Sequence, residues 1–570
     1  MNRAHPSQDQ NTHSNKAQSR DTHKQNTNRL AIKDPRDLLS LCLVAIGYII
    51  SIIAYGLNGR TLLDADESAE MVLANHLNET GRFLSRDWFY STELRVLNTQ
   101  IINKLALAIF PRNWHAARTL AIAILVLILL ASYLYLVHVA ELGWIGNLTA
   151  LALVVPFSTT YSYIVLYGSF YVPHVAITFV LLALTIQILK SFSDKKRWIY
   201  LCIACVLSLV AGLGGVRQFL VFHAPLFLTA FVLLFIEKHS EDSMQAILKS
   251  EHGHFLLVSI AEAFFCVLGV GINSVILHRF YTFSEYTKTS LNSLKLSAFL
   301  DYLGQIIHIW GYEGCAELRD ITGAAAICGL MLCAIFLLVT VFCIHRFRSL
   351  NRIERIFLLF FVFGVFTNVV FYLFANLPVP RYLMPAAIMV LPLIPVALRQ
   401  KDGFGRPWQT LLLALFVFCM FVQSTNYFWY YAYRDKGTVP TQEEKVASWL
   451  VENNYSKGLG TFWNSAILTE LSNGKIEMWN IQSDNYYSDW SSLELYEWLQ
   501  VKSHRDALPT GPVFLIVNSD EIDAIYKHPY MTAVPAFSTG KYTVFTFDST
   551  DDMFMELAGV TAPELTGSRR

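Results

Sequence analysis

Eleven stretches of the chain have the length and apolar character of a helix that crosses a lipid bilayer. They lie at about 38–57, 116–138, 144–165, 170–190, 198–216, 221–236, 255–277, 323–344, 355–375, 382–399 and 409–429. A hydrocarbon core needs about 20 apolar residues per helix. Inside it the backbone must satisfy its own hydrogen bonds, so such a chain folds as a bundle of helices. We therefore read a polytopic α-helical membrane protein with about 11 spans. Composition agrees, because only 15% of the residues are charged where a soluble domain carries roughly 25%. The formal net charge is zero, so no overall field recruits nucleic acid. Nearly all of the nine cysteines fall in apolar runs and act there as small hydrophobes. The "CIAC" pair, Cys202 and Cys205, has no second pair to complete a metal or redox site.

The first 36 residues are polar, rich in Asn, Gln, Ser and His. They cannot bury a core and are expected to be a disordered cytoplasmic tail. Residues 94–110 are apolar on one face but carry Arg95, Asn98, Gln100, Asn103 and Lys104. That pattern predicts an amphipathic helix on the membrane surface or a shallow insertion.

Lys and Arg in short loops set orientation. "KSFSDKKRW" after the fourth span, "HRFRSLNRIER" after the eighth and "RQKDGFGR" after the tenth are all basic. With the N-terminus inside and the C-terminus outside, all three face the cytoplasm. Three larger pieces then lie outside: about 58–115, about 278–322 and the tail from about 430. The expected organisation is a tail at 1–36, a transmembrane domain at 37–430 with an external loop at 58–115, and an extracytoplasmic α/β domain at 431–570. In that last domain "TQEEKVASWLVENN" opens on a capping box, Thr441 with Glu444. Strand-like runs follow at "GLGTFW", "KIEMWNI", "PVFLIVN" and "YTVFTF", with helix-like "SAILTELS" and "SLELYEWLQ" between the first three. That alternation points to an α/β layer.

The stretch "LLDADESAEM" puts Asp64, Asp66, Glu67 and Glu70 just past the first span. Carboxylates there are not drawn to anionic lipid. Locally they read as a helix start, with Asp64 or Asp66 as cap, Glu67 and Glu70 favoured by the dipole, and Gly81 as terminator. Other polar groups reach the same depth: Arg217 in "GGVRQF", Arg279 in "LHRFY", Arg381 in "NLPVPRYLMP" and His174 in "YGSFYVPH". Guanidinium groups match a phosphate in a bidentate way. A carboxylate beside them can take a proton from an attacking hydroxyl. Asp64 and Asp66 could also share Mg²⁺, Mn²⁺ or Ca²⁺ with that phosphate.

These residues carry a resemblance. "DADESAEMVLANHLNETGRFLSRDW" after the first span, "AARTL" with Arg118 at the second, and "RYLMP" at a late span resemble the GT-C class of membrane glycosyltransferases. The likeness is to the branch holding protein O-mannosyltransferases and the aminoarabinose transferase of lipid A. The segment "STELRVLNTQIIN" departs from that branch, where many relatives carry a Pro-rich stretch. The resemblance implies a polyprenyl-phosphate-linked sugar donor and a hydroxyl acceptor on a protein, glycan or lipid. It also implies a multi-pass protein of a bacterial plasma or inner membrane. Carried over residue by residue, Asp66 is the general base and Glu67 orients it or ligates a metal, with Asp64 the weaker partner in either role. Arg381 binds the leaving phosphate, helped by Arg217 or Arg279. His174, Tyr382 and Glu313 line the sugar pocket. A single displacement inverts the anomeric carbon, and a phosphate leaving group needs no general acid, so the carboxylates are not a hydrolase dyad. A multi-span transporter or flippase of envelope precursors is the other reading. It would show ionisable groups near the midplane, of which Glu262 is the clearest.

Overall fold

The computed structural model describes residues 34–559 apart from 92–93, 95–98, 156–157, 168–170, 192–193, 238–249, 285–295, 313–318, 320, 376–378, 401–405, 429–438, 484–492 and 528–530. Among the described residues nine helices are long and apolar enough to cross a membrane. They correspond to nine of the eleven predicted spans. The fifth forms a helix of 17 residues, Lys196–Gly212. The third is broken: Gly143–Thr149 and Leu151–Val154 end on an extended Val155. Pro156 follows, and the residue before a proline is pushed out of the helical region.

The first four helices build the end of the bundle that matters most. Helix α1 (Pro35–Asn58) starts on the side chain of Asp34 with Pro35 at its first position, where the missing N–H costs nothing. Helix α2 (Ala65–Glu79) is capped by Asp64, whose carboxylate accepts from the Glu67 N–H at 2.9 Å. It stops at Thr80, and Gly81 follows with φ +66°, a conformation glycine adopts without strain. Helix α3 (Thr99–Ile109) is the predicted amphipathic segment. Its polar face turns inward onto α2: Thr99 donates to Glu70 at 2.6 Å and Lys104 to Asn78 at 3.1 Å. Leu105 and Ile109 are exposed on the other face, as suits a helix lying on lipid. Helix α4 (Trp114–Val139) is the second span, capped by Asn113.

The C-terminal region holds a six-stranded mixed sheet. Its strands are β1 (Lys457–Thr461), β2 (Glu477–Ser483), β3 (Leu493–Leu495), β4 (Val513–Asn518), β5 (Phe537–Ser538) and β6 (Tyr542–Phe547), in the order β3-β2-β1-β4-β6-β5. β1 runs parallel to both β2 and β4, and the helix Phe462–Leu471 crosses over from β1 to β2. Both faces are covered, so central β4 is apolar almost throughout, "VFLIVN". Val513, Leu515 and Val517 meet the helix Thr550–Ala558 through Phe554 and Leu557, while Phe514 and Ile516 meet the helix Gln442–Glu452 through Val446 and Leu450. Gly458 is required here, since a Cβ would lie 2.2 Å from the Phe514 ring. The capping box at Thr441 forms, with bonds of 2.9 and 3.0 Å to and from Glu444.

One expectation fails in this region. "SLELYEWLQ" is not a helix: Leu493–Leu495 is an edge strand antiparallel to β2, and Leu499 takes φ +49°. Pairing Leu495 with Ile481 lets the leucines alternate on a strand, and that tertiary contact overrides helical propensity.

The sheet region is tied to the bundle in several places. Phe462 and Ala466 pack with Ala65 and Ala69 of α2. Phe89–Tyr90 pairs in parallel with Thr282–Phe283. On its other side the Phe89 N–H donates to the Gln500 carbonyl at 2.9 Å, and Leu499 donates back to Phe89 at 3.0 Å.

Candidate functional site

Asp66 and Glu67 lie in the first turn of α2, where the helix dipole favours negative charge. Successive residues on a helix point about 100° apart, and these two carboxylates meet opposite surroundings. The Asp66 carboxylate is 23% exposed and accepts from Arg381 Nη1 at 3.2 Å. Glu67 is 1% exposed, and neither of its carboxylate oxygens finds a hydrogen-bond donor among the described residues. Burial, with Asp64 close by, pushes the Glu67 carboxyl well above the usual range, against the opposing pull of Arg118. Glu67 is thus a sealed acid that burial drives toward its protonated form, and no hydrogen bond among the described residues joins its carboxylate to Asp66 or Arg381.

Arg381 enters from the start of the helix Pro380–Ala387, where Pro380 sits at the first position and Val379 is the extended cap. Its guanidinium is a third exposed, and its buried Nε has no acceptor among the described residues. Tyr382 follows, stacked on Tyr372 at 4.9 Å. Arg217, at the end of the fifth apolar segment, lies between two rings, 4.7 Å from the Tyr171 centroid and 4.9 Å from Tyr382. Such cation–π contacts hold a guanidinium in place. His174 stands beside Tyr171 at 6.3 Å, with Nδ1 3.1 Å from Gln218 Oε1. Gln218 in turn donates to Thr178 at 3.0 Å.

The structure therefore gathers Asp66, Arg381, Arg217, Tyr382 and His174 at one end of the bundle, with the paired Asp66 and Arg381 lying 315 residues apart in the chain. Arg279 ends a short turn and is exposed. None of the ion pairs or ring contacts that join the others among the described residues includes it. Glu313 lies outside the described residues. Asp64 serves as the cap of α2, and its second oxygen accepts from the Tyr163 hydroxyl. Among the described residues no three His, Cys, Asp or Glu side chains converge on a metal position. Asp64 is engaged twice and Asp66 faces a guanidinium, so a hard cation at these two carboxylates would draw most of its oxygen ligands from water and a donor phosphate.

Sequence reasoning missed Tyr171, Tyr163 and Glu470. Tyr171 was within the quoted "YGSFYVPH", but nothing local shows that a distant Arg217 lies on its ring. Glu470 ends the helix Phe462–Leu471 and reaches Arg118 of α4 at 2.5 and 2.6 Å, both side chains almost fully buried. Arg118 also donates to the Glu67 carbonyl at 2.9 Å.

A sealed acid at position 67 has a consequence for stability. Its raised folded-state pKa stabilises the fold below the ordinary carboxylate value of 4.5. That contribution is lost as pH rises toward the folded value. Glu67→Gln keeps the shape and removes the titration. The variant is expected to melt near the native temperature at pH 5 and several degrees above it at pH 8. Equal melting shifts at both pH values would mean that Glu67 is hydrated.

ArnT from Cupriavidus metallidurans in the apo state matches with a TM-score of 0.52 at 14% identity, covering 92% of this chain and 98% of that one. The same protein bound to undecaprenyl phosphate matches at 0.51 and 12% identity, over 89% and 97%. The Archaeoglobus fulgidus oligosaccharyltransferase complexed with Zn and sulfate gives 0.47 at 12% identity, over 86% of this chain and 69% of that one. No family model matches the chain, and no curated protein does. At these identities the likeness is one of fold: this chain shares the fold of the ArnT structures.

Proposed function

We propose that this chain is an inverting glycosyltransferase that moves a sugar from a polyprenyl-phosphate-linked donor to an acceptor hydroxyl. The observation that carries the reading is the pairing of Asp66 with Arg381, beside an Arg217 held between Tyr171 and Tyr382. ArnT, which shares the fold, is bound to undecaprenyl phosphate, and its lipid phosphate is the chemistry we carry over. Arg381 takes the donor phosphate, with Nε and the two terminal nitrogens as donors. Arg217 adds a second fixed positive charge. Asp66 is then released toward the acceptor and accepts the proton of its hydroxyl. The acceptor oxygen forms a bond to the anomeric carbon on the face opposite the phosphate. The bond from that carbon to the phosphate oxygen breaks, and the electron pair leaves with the lipid phosphate. Preorganised guanidinium groups stabilise the charge that grows there. His174 and Tyr382 line the sugar side.

The basic loops support an orientation with this end of the bundle on the outer face of the plasma or inner membrane. Residues 37–430 then form the membrane domain, and 431–570 an extracytoplasmic domain above it. The acceptor is a hydroxyl of a protein, glycan or lipid.

The test uses the purified chain in lipid nanodiscs with a panel of radiolabelled polyprenyl-phosphate sugars and hydroxyl acceptors. Release of lipid phosphate and label on the acceptor with inverted anomeric configuration are expected. Movement of intact donor between leaflets of proteoliposomes, with no label ever transferred, would instead make the chain a flippase.

A further inference from the structure

We propose that Glu470, in the C-terminal sheet region, is a positioning residue for the catalytic helix and acts through Arg118. The three residues form one buried chain of bonds. Glu470 accepts from Arg118 Nε at 2.5 Å and from Nη2 at 2.6 Å, and the same Nη2 donates to the Glu67 carbonyl at 2.9 Å. The side chains of Arg118 and Glu470 are 4% and 3% exposed. A guanidinium buried this deeply is stable only with its carboxylate in place, so Arg118 can hold α2 only while the sheet region is docked. The carbonyl it grips belongs to the residue next to Asp66, in the same helical turn. A shift of that turn moves the Asp66 carboxylate relative to Arg381.

Neighbouring contacts make the docking specific. Asn473 accepts from the Trp114 N–H at 2.8 Å, adding a cap from the sheet region to the helix that carries Arg118. Gly474, at φ +77°, lies against the Trp114 ring, where a Cβ would come within 2.9 Å. Phe462 and Ala466, on the same helix as Glu470, pack with Ala65 and Ala69 on either side of Asp66 in sequence. The sheet region is thus built into the floor of the site.

The role in turnover rests on the transferase reading above, whereas the hold on α2 does not. Hydrogen exchange on the full chain in nanodiscs separates the two. Glu470→Ala alone would leave a buried unpaired cation and could unfold the junction. The decisive variant therefore replaces both partners with apolar groups, Arg118→Met with Glu470→Leu, which keeps the volume filled. Amides in the first turns of α2 are expected to exchange about tenfold faster, while those of β4 stay protected because the sheet keeps its own core. Transfer should fall about tenfold or more in kcat, with donor KM almost unchanged, as expected when reacting groups are misplaced and binding survives. Unchanged exchange in α2 overturns the proposal whatever the activity. Faster α2 exchange with native kcat would confine Glu470 to docking and overturn its part in catalysis. A native chain with no transferase activity, yet with the exchange effect in the double variant, would remove the function proposed above and leave the positioning of α2 standing.

Discussion

Asp66→Asn is expected to lower transfer by about a thousandfold, the usual loss when a general base is removed, and at the same time to tighten binding of polyprenyl phosphate. The second effect follows from the geometry. Asp66 and Arg381 are paired at 3.2 Å in the unliganded protein, and a phosphate must displace the carboxylate to take the guanidinium. A partly exposed ion pair is worth up to about 1 kcal/mol, so removing the competitor strengthens phosphate binding by about fivefold. Asparagine keeps the shape of aspartate, so the cap at Asp64 and the first turn of α2 are retained. Native mass spectrometry with undecaprenyl phosphate measures the binding, and the nanodisc assay measures turnover. Weaker lipid-phosphate binding in the variant would show that the two groups do not share Arg381. Full turnover would remove Asp66 as the base.

Arg381→Lys is expected to cost about a hundredfold or more in transfer, near the loss seen when a charge-stabilising donor is removed. The substitution keeps the charge, so the size of the effect reports geometry. Lysine has no planar fork to present two donors to a phosphate. It also lacks the Nε–H, which has no acceptor among the described residues. Donor KM should rise as well, because the phosphate is held before and during bond breaking. Arg279 supplies the comparison. It is exposed and outside the ring and ion-pair contacts of the site, so Arg279→Ala should change kcat/KM by no more than about twofold, as for surface positions in general. A loss at Arg279 as large as that at Arg381 would place the phosphate farther from α2 than proposed here.

Much of the architecture is legible in the residues because a bilayer admits few solutions. A run of about 20 apolar residues must be a helix, and nine of the predicted runs are helices of spanning length. The two exceptions have local causes. Pro156 interrupts one, and the other ends after 17 residues at Gly212, where Gly214 and Gly215 follow and Gly215 takes φ +99°. Strands β1, β2, β4 and β6 fall on the predicted segments because short apolar runs between turn signals have few alternatives. The edge strand at Leu493–Leu495 was misread because its pairing partner, β2, lies in another part of the sequence. A cap at Asp64 or Asp66 and Gly81 as terminator were readable since both act within a single helix, and the structure selects Asp64.

The candidate site divides along the same line. The local pattern of residues is enough to start α2 at Asp64 or Asp66 with further acids in its first turn, and to put arginines at the ends of apolar spans. These are consequences of helix caps, dipoles and the thickness of a bilayer, all local or uniform along the chain. Which acid caps the helix and which faces Arg381 is set by the packing of distant segments. The turn of α2 leaves Asp66 beside Arg381 and seals Glu67 beneath, with its carboxyl far less acidic than its neighbour's position in the chain would suggest. The same packing lays Arg217 on the rings of Tyr171 and Tyr382 and brings Glu470 of the sheet region to Arg118. Burial and pairing depend on what the rest of the chain brings to a point in space, and spacing along one segment carries no record of that.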